Sequence, residues 1–276
     1  MLRGLTTSPA KLYKPNMSLR ASVFVIPVIL LMAGFADAQE ERRPLFLDNR
    51  IADDPSVIDI TEIDKQYAKA AVQEYDKAID DARKGNRLAA LAHLEAAIRI
   101  EPGFFNARNS LAILYHRMKR YPEAEREYRE AKRLNPRSAV PLVNLGSLRI
   151  EQSLASASEP PNVSRGMLNE ALENLNEAVK IQPESAIAQY LTGVVYYLTR
   201  FFEEAEAHFN KALEFSGGRL VISRLALADV YVRIQEWDNV VVQLDAYLKA
   251  VPSGANRVLI RSVRDDAAKK LEIASQ

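Results

Sequence analysis

The chain has 276 residues, of which 26% are charged and 48% hydrophobic, and its formal net charge is +1. A near-neutral balance offers no basic field for nucleic acid, and zero cysteines with three histidines leave little material for a disulfide framework, a thiol nucleophile or a metal site. Ten glycines, and long stretches rich in Ala, Leu, Glu, Lys and Arg, describe a helical protein large enough for one or two domains.

Arg3, Lys11, Lys14 and Arg20 precede an apolar run over 21–35, and no acidic residue occurs before Asp37. Ala36-Asp37-Ala38 then supplies a small-x-small exit site. This order predicts a signal peptide over 1–38, cut after Ala38, with export to the periplasm or the exterior. Met17 offers a second, more compact start. The run is shorter than the roughly 20 residues of a membrane span; an uncleaved leader would instead anchor the chain, and this is the one route by which a membrane enters the reading. Residues 39–60 are charged and broken by Pro44 and Pro55, and are expected to form an extended tether.

Thr61, with Asp64 three residues on, resembles a helix N-cap. A helix is expected from there to Arg83, with Ile63, Tyr67, Ala71, Tyr75, Ala78 and Ala82 at helical spacing. Gly85-Asn86 breaks it. A second helix over 88–100 stops at Pro102, which has no N–H to donate. The grammar repeats over 106–118 and 123–134, with Pro122 opening the latter, and then over 186–215 and 221–251. The third hairpin begins at 140–150 and carries an excess: Pro136 and Pro183 are 47 residues apart instead of 34. The extra residues are assigned to a loop over 151–165, because a longer loop costs little entropy whereas a break in a helix loses its packing stripe. A final amphipathic helix over 256–273 is expected to cap the array through Val258, Leu259, Val263, Ala267 and Leu271.

The period itself carries the fold. Ala90, Leu94, Ala97 and Pro102 recur 34 residues later as Ala124, Tyr128, Ala131 and Pro136. Ala171, Leu175, Ala178 and Pro183 form a third copy, Ala205, Phe209 and Ala212 a fourth, and Val240, Leu244, Tyr247 and Pro252 a weaker fifth. A fixed period of this size means stacked helical hairpins. The first helices add Leu111-Ala112 with Tyr115, Leu145-Gly146, Gly193 with Tyr196, and Leu227-Ala228 with Tyr231. These residues resemble the tetratricopeptide repeat, although its first-helix Trp is missing throughout and repeat one has Lys77 and Asp81 in place of Leu and Tyr. The resemblance implies an all-α, right-handed superhelical solenoid of about five hairpins plus a C-terminal capping helix. The repeats fall at 71–104, 105–138, 139–185, 186–220 and 221–254 within a domain over 61–254, followed by the cap over 255–276.

The same resemblance places ligand contacts on a concave groove lined by the first helices. The groove positions include Asn109, His116 and Arg117 in repeat two, and Val140 and Val143 in repeat three. Ile187, Tyr190, Val194 and Tyr197 follow in repeat four, and Ile222, Leu225 and Asp229 in repeat five. Repeats three to five thus read as an apolar half-groove for a peptide or amphipathic helix, with Tyr190 and Tyr197 as its aromatic anchors. A C-terminal carboxylate clamp is not matched: Asn144 fits, but Ile113, Ile187 and Leu191 stand where polar or basic residues are needed. No catalytic motif or phosphate-binding loop occurs, and no cofactor or small-molecule substrate is expected. The reading is a non-catalytic, exported adaptor that binds a protein or peptide. The alternative is a regulatory subunit or co-chaperone of an envelope enzyme or assembly system.

Overall fold

The structure, a computed structural model, describes residues 67–156, 161–253 and 257–274. The expected signal peptide, tether and Thr61–Asp64 cap lie outside the described residues. Within them eleven helices and no strand occur. They pair into five hairpins: α1 (Lys69–Arg83) with α2 (Arg87–Ile100), α3 (Phe105–Arg117) with α4 (Tyr121–Leu134), and α5 (Val140–Ala155) with α6 (Pro161–Ile181). Then come α7 (Ala186–Leu198) with α8 (Phe202–Phe215), α9 (Ile222–Ile234) with α10 (Trp237–Ala250), and the single closing helix α11 (Arg257–Ala274). Successive first helices pack on one another while second helices spread apart, so α1, α3, α5, α7 and α9 form the inner wall of a curved stack.

Each hairpin closes on a small residue. A Cβ added to Gly193 would lie 2.8 Å from the Phe209 ring and 3.2 Å from the Ala205 carbonyl oxygen. One added to Gly146 would lie 2.6 Å from Leu175. The on-pattern alanines Ala90, Ala97, Ala124, Ala131, Ala171, Ala178, Ala205 and Ala212 are all fully buried, as the 34-residue pattern requires. The turn between paired helices uses one left-handed residue at the same place in four hairpins: Gly85 (φ 80°), Lys119 (58°), Arg200 (66°) and Gln235 (64°). Three of the four are therefore side chains in a conformation that suits glycine.

The extra residues of repeat three are not a loop over 151–165. The helix α5 continues to Ala155 and α6 starts at Pro161, giving lengths of 16 and 21 residues. The other second helices are 14 residues long. Small side chains permit this: Ser153 is buried and its hydroxyl meets that of Ser164 at 2.7 Å across the elongated hairpin. Proline opens α6 at no hydrogen-bond cost, since a first-turn N–H has no helical acceptor. At the N-terminus the helix begins at Lys69, later than Thr61, because Ala68 is extended (ψ 128°) and the Tyr67 ring stacks on Phe104 at 4.3 Å.

The two ends explain where the pattern fails. Lys77 and Asp81 replace the Leu and Tyr of later repeats in the first hairpin of the described residues. In repeats two and five that Tyr reaches back to the previous second helix, Tyr115 to Glu95 and Tyr231 to Glu206. At the other end α11 docks on α10 through Ile260, Val263 and Ala267, with Arg264 bound to Asp245 at 2.9 Å and Lys270 over the Trp237 ring at 4.0 Å. Val258 is 80% exposed, and Leu259 and Leu271 are also exposed, so the buried stripe is narrower than expected.

Gly193→Ala should lower stability by about 1–3 kcal/mol through overpacking, and Arg200→Gly should raise it by about 1 kcal/mol through relief of the left-handed backbone. Urea midpoints at constant m-value check both.

Candidate functional site

Polar links join α1 to α3, α3 to α5 and α7 to α9 along the inner wall, most of them 35 residues apart. Tyr75 meets Ser110 at 3.3 Å, and the Asn144 amide donates to Asn109 at 3.2 Å. His116 Nε2 donates to the Glu151 carboxylate at 2.8 Å, and Tyr121 donates to its other oxygen at 3.0 Å. The His116 bond holds the Glu151 carboxyl below its usual range, while burial and that carboxylate push Tyr121 up to about 12. In repeats four and five Tyr197 donates to Asp229, and Arg233 Nε donates to Tyr197 Oη at 3.2 Å. Burial raises the Asp229 carboxyl and pushes Tyr197 up to about 12.

A second set of links closes four of the five hairpins internally, 19 residues apart: Glu74 with His93, Arg108 with Glu127, Gln189 with His208, and Arg224 with Gln243. The equivalent place in elongated repeat three is Leu142, fully buried. His93 and His208 therefore share a structural task. Complementary polar types at 19 and 35 residues were present in the sequence and could have revealed both sets; neither Arg149, which bridges Glu125 and Glu170 at 2.6 and 2.7 Å, nor this bonding was anticipated.

The anticipated contact residues divide into three groups. Tyr190, Val194 and Leu225 are 4–7% exposed and belong to the core between hairpins, with Tyr190 packed 5.6 Å from the Phe209 ring. Their apolarity comes from packing against neighbouring helices. The Tyr190 hydroxyl is buried without a hydrogen-bond partner, because Ala226 stands where Ser110 and Asn144 stand in earlier repeats. Truncating Tyr190 to Ala would cost about 3–5 kcal/mol of stability and is no test of binding. Asn109, His116, Tyr197 and Asp229 are engaged in the polar links. Val140, Val143 and Ile222 are half-buried, Arg117 is exposed, and Ile187 is 41% exposed. Val140, Ile187 and Ile222 hold the same place in three successive first helices, so the accessible apolar surface is a short row along one side of the wall.

Comparisons with known proteins agree with this architecture. Residues 81–140 match a family model described as tetratricopeptide repeat, and residues 163–199 match one described as TPR repeat. No curated protein matches the chain. A thermophilic TPR protein of Thermus thermophilus is 23% identical, with a TM-score of 0.60, covering 70% of this chain and 98% of its own. Pseudomonas aeruginosa pilF is 21% identical, with a TM-score of 0.59 and coverages of 75% and 92%. PilW, described as a widely conserved type IV pilus biogenesis factor, is 16% identical, with a TM-score of 0.58 and coverages of 75% and 94%. The class these observations define is the tetratricopeptide-repeat solenoid.

Burial and the Lys211 ammonium hold the His208 ring below its ordinary value near 6.5. The unfolded ring protonates first on acidification, so stability is complete above about pH 6.5 and falls as pH drops towards the folded value. His208→Gln should remove part of this acid sensitivity, read as the difference in urea midpoint between neutral and mildly acidic buffer.

Proposed function

We propose that this protein is a non-catalytic scaffold of the cell envelope that holds a segment of a partner protein against its inner wall at repeats three to five. The observation that carries the reading is the Val140–Ile187–Ile222 row, with Ile187 the most open of the three; the polar group of Tyr197, Asp229 and Arg233 lies about two to three turns further along the same helices. Tetratricopeptide repeats generally mediate protein–protein contacts, and an apolar row with fixed polar groups further along the same helices suits an amphipathic helix laid in a groove. Export rests on the leader over 1–38, with its basic start, short apolar run and Ala36-Asp37-Ala38 exit. A place in an envelope assembly is in keeping with the solved neighbour described as a pilus biogenesis factor.

The wild-type protein used as bait against an envelope extract should recover a partner that Ile187→Glu loses, with the two proteins melting at the same temperature. Recovery unchanged by Ile187→Glu would remove the row as the contact site. N-terminal sequencing of the protein from cells should begin at Gln39; a retained leader would mean membrane anchoring in place of release.

A further inference from the structure

Repeats one and two form a stretch of inner wall with a different character. Its floor is Tyr75, Ile79 and Ile113, all half-buried, and its end at the helix turns is cationic, with Arg83, Lys84, Arg117 and Lys119 exposed. Arg83 holds Asp80 at a long 3.4 Å, with both side chains more than half exposed. The chain enters this region from the side. Tyr67 stacks on Phe104 at 4.3 Å, and Phe104 also packs against Tyr75, 5.2 Å between ring centres. The backbone at Ala68, immediately before α1, is extended, and Tyr67 lies beside the wall against Phe104.

The sequence just upstream complements that wall. Residues 53–64, Asp-Asp-Pro-Ser-Val-Ile-Asp-Ile-Thr-Glu-Ile-Asp, hold five acids and no base, with Val57, Ile58, Ile60 and Ile63 between them. We propose that this segment docks in the wall of repeats one and two. Its apolar side chains cover Tyr75, Ile79 and Ile113, and its carboxylates face Arg83, Lys84, Arg117 and Lys119. Length permits it: α1 is about 22 Å long at 1.5 Å per residue, and twelve extended residues reach about 40 Å. Each exposed charge contact is weak alone, but a tethered segment is present at an effective concentration in the millimolar range, which sustains weak docking. Half of the inner wall is then occupied by the chain itself, and repeats three to five are left for a partner.

The protein has no cysteine, which allows a clean test in the full chain. Ile60→Cys combined with Ile113→Cys should form a disulfide about tenfold faster than Ile60→Cys combined with Val242→Cys, which lies exposed on α10. Neutralising the segment by Asp59→Asn, Glu62→Gln and Asp64→Asn should slow the first pair, as should about 0.5 M salt. Amide exchange of α1 and α3, measured without any cysteine, should quicken in the neutralised variant. Equal rates for the two pairs, or exchange that ignores the neutralised acids, would overturn the proposal. None of these measurements involves a partner, so their outcome is independent of partner binding at Ile187.

Discussion

Where Phe209 crosses Gly193 and Leu175 crosses Gly146, the helices of a hairpin come so close that one methyl group would have to displace a neighbour. Ala112 and Ala228 hold the same place in repeats two and five. This contact fixes the angle of each hairpin, and the angle fixes which residues remain for the next one. A hairpin buries one side against itself and presents another that only a further hairpin can cover. The stack grows in one direction, and among the described residues it closes with α11 against α10. Curvature follows from the same geometry: first helices meet first helices, while the outer helices are held apart.

The polar links refine that arrangement. Apolar packing alone would let neighbouring first helices slide, because leucine and alanine contacts have little directional preference. Hydrogen bonds between Asn109 and Asn144, or His116 and Glu151, have a required distance and angle, and so set the register between hairpins. The internal pairs do the same inside four of the five hairpins with interchangeable chemistry: an ion pair in Arg108 with Glu127, neutral donors and acceptors in Gln189 with His208. That variety is why no single residue type marks the position.

Most of the fold was legible in the chain because its governing signal is a spacing. Ala124 and Ala205 could be placed in the core before any coordinates, and so could Tyr128 and Phe209. What could not be read was how far each helix runs. Ser153 and Ser164 are poor evidence for helix when taken singly, yet together they let two long helices lie side by side where a loop was expected. The site was legible by position and not by exposure. Tyr190 and Ile187 both sit on the inner helices and are both apolar, but one neighbour packs over Tyr190 and none covers Ile187 to the same degree. Spacing assigns a residue to a helix face; whether that face meets solvent depends on how tightly the next hairpin folds over it.

The elongated hairpin of repeat three breaks the sameness of the array. A surface that recurs every 34 residues offers an elongated guest several nearly equivalent berths, one hairpin apart, and a guest that can occupy any of them is held in none. The pair α5 and α6, outsized among its neighbours, gives the array a landmark and distinguishes its two directions. Whatever lies along this wall can be aligned against that landmark, so one elongated unit converts a repetitive surface into an addressed one.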